Sequence, residues 1–152
     1  MALSAQIAIS LVAHESSTGD LSRTLRVTPA TYGVVLSDGT SANQAQVAWS
    51  DTRTLAGASE TLNLASLADL RDGATATVTI TAVKAAYAKN SHTAIGIIVA
   101  GGPFGSGVTL GAGAVATVVN ASAVGMAATG VTVSGSAGAT YDIVFIGEGS
   151  VA

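Results

Sequence analysis

Thr75-Ala76-Thr77-Val78-Thr79-Ile80-Thr81-Ala82 decides the fold class. Threonines occupy every odd position while Ala76, Val78, Ile80 and Ala82 occupy the even ones. A period of two places one set on each face of a β-strand, and Thr, Val and Ile all favour extended backbone. At Ala82–Val83 the apolar phase slips, continuing as Val83, Ala85 and Tyr87. One extra residue in a strand swaps its faces, so a β-bulge accounts for the slip. An Ala-rich helical turn over 82–89 is the competing reading.

The same period recurs on both sides. Leu3, Ala5, Ile7, Ile9 and Leu11 alternate with Ser4, Gln6, Ala8 and Ser10. Leu25 and Val27 mark a second strand ended by Pro29. Tyr32, Val34 and Leu36 mark a third, closed by the turn dipeptide Asp38-Gly39. Val47, Trp49 and Leu55 give a fourth, Leu62 and Leu64 a short fifth. After the Thr-rich strand, further strands are predicted over 95–100, 114–119, 130–134 and 140–147. The last carries Tyr141, Ile143 and Phe145 on one face and Val144 and Ile146 on the other. A strand apolar on both faces is central in its sheet or covered by a partner. At most one helical turn, near Leu64–Arg71, interrupts these strands. The pattern predicts an all-β chain, a single β-sandwich domain of jelly-roll type over 1–152. Residues 1–12 are expected to form an extended N-terminal strand or arm.

Composition limits what such a domain does. The chain has 152 residues, 49% hydrophobic and only 10% charged, with a mean hydropathy of +0.55. A typical soluble domain is about 25% charged. The most apolar run, Ile95–Ala100, is stopped by Gly101-Gly102-Pro103. It falls far short of the roughly 18–20 apolar residues of a spanning helix, so no membrane partner is expected. Met1–Gln6 lacks the basic and apolar regions of a signal peptide. There is no cysteine, hence no disulfide and no thiolate chemistry. Six scattered Lys and Arg within a net charge of −3 give no basic patch for nucleic acid. The 52 residues from Asn90 to Tyr141 contain no Asp, Glu, Lys or Arg. Two readings compete for that stretch: a neutral Thr/Ser/Gly surface, or an assembly interface, whose core is depleted in charge.

The residues for catalysis are sparse. His14 and His92, the two histidines, lie in no motif, and no G-x-S-x-G elbow occurs. No H-x-x-x-H and no Asp-rich calcium loop is present, and Asp38–Asn43 reads as a turn. Gly111-Ala112-Gly113-Ala114-Val115-Ala116 fits a loose dinucleotide fingerprint, but a strand follows it where a helix is required. Asn120-Ala121-Ser122 is a formal glycosylation sequon without a secretory signal. The few aromatics sit mostly at inward phases, which suits a core better than a sugar-stacking platform. Asp51 and Arg53, two apart on one strand face, are expected to form a structural ion pair, with a partner contact as the other reading. No catalytic residue, cofactor or metal is expected.

Several blocks resemble a family of small proteins of tailed bacteriophages. They are Leu36-Ser37-Asp38-Gly39-Thr40-Ser41-Ala42-Asn43-Gln44-Ala45, Trp49-Ser50-Asp51-Thr52-Arg53-Thr54-Leu55-Ala56 and Glu60-Thr61-Leu62-Asn63-Leu64. The likeness resumes at Val83-Lys84-Ala85-Ala86-Tyr87-Ala88-Lys89-Asn90 and Thr140-Tyr141-Asp142-Ile143-Val144-Phe145-Ile146-Gly147. It implies a virion structural protein, assembled in the host cytoplasm and placed on the capsid surface as a decoration (cement) protein. The partners it implies are the major capsid protein and the chain itself, as a dimer or trimer. The chain departs from the family in being bare of charge through 108–133. The alternative is a tail or fibre component that binds a host surface glycan. The contact residues expected for the cement role are Ile7, Ile9, Leu11, Ile95, Ile97, Val99, Phe104, Val115, Val131 and Val133.

Overall fold

A computed structural model describes residues 2–11, 14–17, 23–26, 30–71 and 74–152. The strands in chain order are β1 (Ala5–Leu11), β2 (His14–Ser17), β3 (Arg23–Arg26), β4 (Ala30–Asp38) and β5 (Gln44–Ala45). Next come β6 (Val47–Thr54), β7 (Ser59–Leu62), β8 (Leu67–Arg71), β9 (Ala74–Asn90) and β10 (Ile97–Ala100). The last are β11 (Val108–Leu110), β12 (Val115–Val119), β13 (Met126–Ala127), β14 (Val131–Gly135) and β15 (Thr140–Val151). The fold is all-β. The one helical turn among the described residues is 3-10 and lies at Gly102–Phe104, where Pro103 fits its first turn. The turn expected near Leu64–Arg71 is instead strand β8, paired with β9 from Leu67↔Val78 to Arg71↔Ala74. In the second expected strand Leu25 lies on β3, while Val27 and Pro29 lie outside the described residues.

Two antiparallel sheets carry the core. The larger runs β12-β9-β15-β6, with β8 and β13 also paired to β9, and the smaller runs β11-β10-β14-β7. Four antiparallel pairs nest within one another along the chain: β6 with β15, β7 with β14, β9 with β12, and β10 with β11. Trp49, Tyr141, Ile143 and Phe145 of the larger sheet and Leu62, Ile97, Val99, Val131 and Val133 of the smaller belong to one buried cluster. Trp49 and Phe145 are register partners with stacked rings, centroids 6.0 Å apart. β15, apolar on both faces, is flanked by β9 and β6, as a central strand should be.

Two bulges account for the phase changes in β9, which continues as a strand through Asn90; Val83 therefore does not share a face with Ala85 and Tyr87, which turn toward β1. On β15, Ile146 pairs with Ala85 but Gly147 with Val83, and Glu148 pairs with Ala82 but Gly149 with Ile80. Lys84 and Thr81 are the extra residues. The core face of β9 therefore reads Val78, Ile80, Val83, Ala86, Ala88 and Asn90, all buried. A third sheet, β1-β4-β5, pairs β1 with β4 along its whole length, from Ala5↔Leu36 to Leu11↔Ala30. Its β1 lies against the outer face of the larger sheet, near Ala85, Tyr87, Val144 and Ile146. Strands β2 and β3 form a separate two-stranded ladder.

Candidate interaction surface

The alternation of each strand sorts the expected contact residues. Ile97, Val99, Phe104, Val131 and Val133 are buried in the sandwich interior and offer no surface to a partner. Their assignment to an interface gives way to core packing. On β10 it is Ile98 that faces outward, 46% exposed, between Thr109 and Ser134. Ile95 is partly buried against the core, and Ile7, within the β1–β4 ladder opposite Val34, is half-buried. Ile9, Leu11 and Val115 are exposed. Tyr32, Val35, Val124 and Val151 are also exposed apolar residues, and the expected contact set did not contain them.

Ile9 and Leu11 lie on one face of β1, and their register partners on β4 are Tyr32 and Ala30. Near Ala5 and Ile7 this face is half-buried, and toward Leu11, 68% exposed, it is uncovered. The sequence from Ala2 to Leu11 contains no charged residue, and neither does 30–37 on β4. Between β1 and the larger sheet lies a cleft of about 270 Å³, lined chiefly by Ile7, Ile9, Ala85, Tyr87, Val144 and Ile146. None of its lining residues is charged.

The polar side chains at the sandwich rim are bonded to one another. Arg53 donates to Asp51 at 2.8 Å and to Glu60 at 2.8 and 3.0 Å, while the Tyr141 hydroxyl donates to Glu60 at 2.6 Å. The expected Asp51–Arg53 pair is thus part of a four-residue network. Hydrogen bonding to Glu60 raises the guanidinium pKa of Arg53 against the opposing effect of burial. Burial alone would raise the Glu60 carboxyl, yet the bonds from Arg53 and Tyr141 outweigh it and hold the group below its usual value. Burial first, and then the bond to Glu60, push the Tyr141 phenol up. Asp142 is held low by hydrogen bonds from Ser91 and then Thr52.

His92 serves its own loop. Its Nδ1 accepts hydrogen bonds from the backbone N–H of Ala94 and Ile95, both at 3.0 Å, which makes Nδ1 the unprotonated nitrogen. Buried Asn90 donates to the carbonyls of Ile95 and Leu110. Among the described residues no group of three His, Cys, Asp or Glu is placed to hold a metal ion. Among them, too, no helix is long and apolar enough to cross a membrane. The loose dinucleotide fingerprint forms a turn, with Ala114 N–H bonded to the Gly111 carbonyl, that leads into strand β12.

Comparison with family models, with curated proteins and with solved structures gives no match to this chain.

Proposed function

We propose that this chain is a bacteriophage capsid decoration protein that binds the outside of the major-capsid shell and stabilises it. The observation that carries this reading is the uncharged β1–β4 ladder, whose apolar face runs out from over the sandwich and leaves Ile9, Leu11 and Tyr32 exposed. A sheet face of this kind is a binding surface awaiting a cover. The resemblance to small proteins of tailed phages supports the particle assignment. Its blocks at 49–56, 83–90 and 140–147 fall on β6, β9 and β15, three neighbouring strands of one sheet. We read the nested pairing of the two main sheets as a jelly roll, a framework that presents loops and an edge ladder from a rigid body.

The mechanism is mass action. A protein that binds the assembled shell and not its separated subunits lowers the free energy of the shell at every site it fills. Self-association on the particle would couple neighbouring sites. No step of this mechanism calls for a metal, a cofactor or nucleic acid.

The test is to add purified protein to shells that lack it. Saturable binding at a fixed number of copies per shell, with a higher disruption temperature, is the expected result. Failure to bind, or binding with no change in that temperature, would remove the reading.

A further inference from the structure

The β1–β4 ladder is joined to the sandwich at one end only. Among the described residues, no backbone hydrogen bond ties β1, or β4 ahead of Ser37, to either main sheet. The joins begin at Ser37, whose N–H donates to the Asn43 carbonyl at 3.0 Å, and β4 pairs with β5 at Ser37↔Gln44 and Asp38↔Ala45. From that turn, Asn43 N–H donates to the Ala121 carbonyl at 2.7 Å and Gln46 N–H to that of Gly147 at 2.8 Å. Leu36 and Ala45 are fully buried there. Away from this end the cover falls along β1: Ala5 and Ile7 are half-buried, and Leu11 is exposed.

The packing that holds the rest of the ladder down is separate from the main core. Leu36, Ala45 and Ala85 are buried, yet none belongs to the cluster shared by the two main sheets. Under β1 lies the outer face of the larger sheet, with Ala85, Tyr87, Val144 and Ile146, and the fit leaves a cleft of about 270 Å³. Side chains that line a gap forgo part of their contacts, so this layer holds less firmly than a close-packed one. A two-stranded ladder is marginal by itself, so its pairing depends on that layer. Segments with few buried contacts and an exposed end open at a free energy below that of global unfolding.

We infer that the β1–β4 ladder is a strap, hinged at Leu36–Ala45, that lifts off the larger sheet while the sandwich stays folded. Lifting bares the apolar outer face around Ala85, Tyr87 and Val144 and releases Ile7 from it. The strap goes beyond the decoration reading and does not rest on it, and its test needs no shell.

The chain has no cysteine, so a single introduced thiol reports on its own site. Ala85 and Ala88 lie on the same strand, 6% and 0% exposed, the first under the strap and the second in the core cluster. Labelling of Ala85→Cys and Ala88→Cys by a soluble disulfide reagent, under native conditions, reads how often each site is uncovered. Ala85→Cys should react at least about 100-fold faster than Ala88→Cys, because local opening is far more frequent than global unfolding. It should react at least about tenfold slower than the same chain in denaturant, since the strap is mostly closed. Ile7→Ala in the Ala85→Cys chain should speed labelling about fivefold, as half-buried carbons are lost from the closed state only. The same change should leave the rate at Ala88→Cys within about twofold. Val133→Cys, in the same core cluster, is the control should Ala88→Cys fail to fold. Equal rates at the Ala85 and core thiols overturn the inference, since the ladder then opens only with the whole fold. So does an Ala85 thiol as fast as in the denatured chain, which means a strap that never closes, or a rate that Ile7→Ala leaves unchanged. Shell binding is a separate readout: a chain that fails these labelling tests and still binds shells keeps the decoration reading, and one that passes them without binding shells keeps the strap.

Discussion

Lys84 Nζ lies 2.7 Å from Glu148 Oε1, joining the bulge of β9 to the far end of β15 by an ion pair whose lysine side chain has no solvent exposure. The Glu148 oxygen is itself buried and accepts no aligned hydrogen bond, so the ammonium charge is what compensates it. Removing one partner of a buried pair leaves the other uncompensated. Lys84→Met, which keeps the aliphatic stem, should therefore destabilise the fold by about 3–5 kcal/mol. Urea denaturation measures that loss. Native-state hydrogen exchange should also accelerate at Gly125, whose loop the lysine anchors through the carbonyls of Ser122 and Ala123. A variant with wild-type stability and unchanged protection would show that water replaces the ammonium at no cost.

The Glu60–Tyr141 contact at 2.6 Å sets a pH dependence at both ends of the scale. The folded carboxyl of Glu60 lies below its ordinary value of 4.5. Its contribution is therefore present above the unfolded pKa and is lost as pH falls through the folded one. Tyr141 is shifted the other way, above its ordinary value of 10.0. Its contribution is present below that value and is lost as pH rises through the folded pKa. Thermal melts of the wild type should show a plateau between these limits. Glu60→Gln should flatten the acid limb, and Tyr141→Phe the alkaline limb. Tyr141→Phe should cost about 1.5–3 kcal/mol at neutral pH, the scale of one hydrogen bond to a charged acceptor. An acid limb that persists unchanged in Glu60→Gln would assign it to another carboxylate.

Gly149 lies opposite Ile80 just past the second slip of register. A Cβ at Gly149 would run into the carbonyl oxygen of Thr79, and one at Gly147 into that of Ala82. Backbone cannot give way there without breaking the β9–β15 ladder. Gly149→Ala should therefore cost about 3 kcal/mol or more, well above an ordinary surface substitution. Gly57→Ala, where nothing lies within 4 Å of the added carbon, is the control and should stay within about 0.5 kcal/mol of the wild type. Chemical denaturation of the pair decides it, and equal midpoints would mean the bulge can relax.

The strands were legible because a two-residue period survives in the sequence wherever one face of a strand is buried. Thr75–Ile80 states both the element and its inward face, whereas the strand over 140–147, apolar on both faces, states its central place but not which face is inward. The slip at Ala82–Val83 announced one bulge, at Thr81, but not the second at Lys84, which turns Ala85 and Tyr87 away from the face of Val83. Ile95–Ala100 announced a strand but not its inward face, since Ile97, Ile98 and Val99 are all apolar. Ile97 and Val99 proved to be core for that reason, while on β14 the alternation of Val131 and Val133 with Thr132 and Ser134 did mark an inward face, and the two valines pack in the core. The short strands β5, β11 and β13 span three residues or fewer, too few for a period to show. Val124 left no signal of its own, because its exposure comes from a loop fixed by Lys84, and the pairing of positions 84 and 122 is visible only after folding. The Glu60–Tyr141 contact was equally hidden, as 81 residues separate the two along the chain.

The exposed faces of the β1–β4 ladder separate folding from function. Leu11 is 68% and Val35 61% exposed. Their register partners, Ala30 and Gln6, show that they lie on opposite faces of the ladder. Because neither side chain is packed, Leu11→Asp and Val35→Asp should each change stability by no more than about 0.5 kcal/mol. Their effects on shell binding should differ. Leu11 shares its face with Ile9 and Tyr32, where the uncovered apolar surface is continuous, so a carboxylate there must be desolvated on docking and should weaken binding by at least about 30-fold. Val35 stands on the other face, with Gln6 and Ser37, and its substitution should leave binding within about threefold of the wild type. Copy number per shell at graded protein concentration measures both affinities. Equal weakening by the two variants would mean that the ladder docks through its edge and both faces. No weakening by Leu11→Asp would remove the ladder from the shell contact.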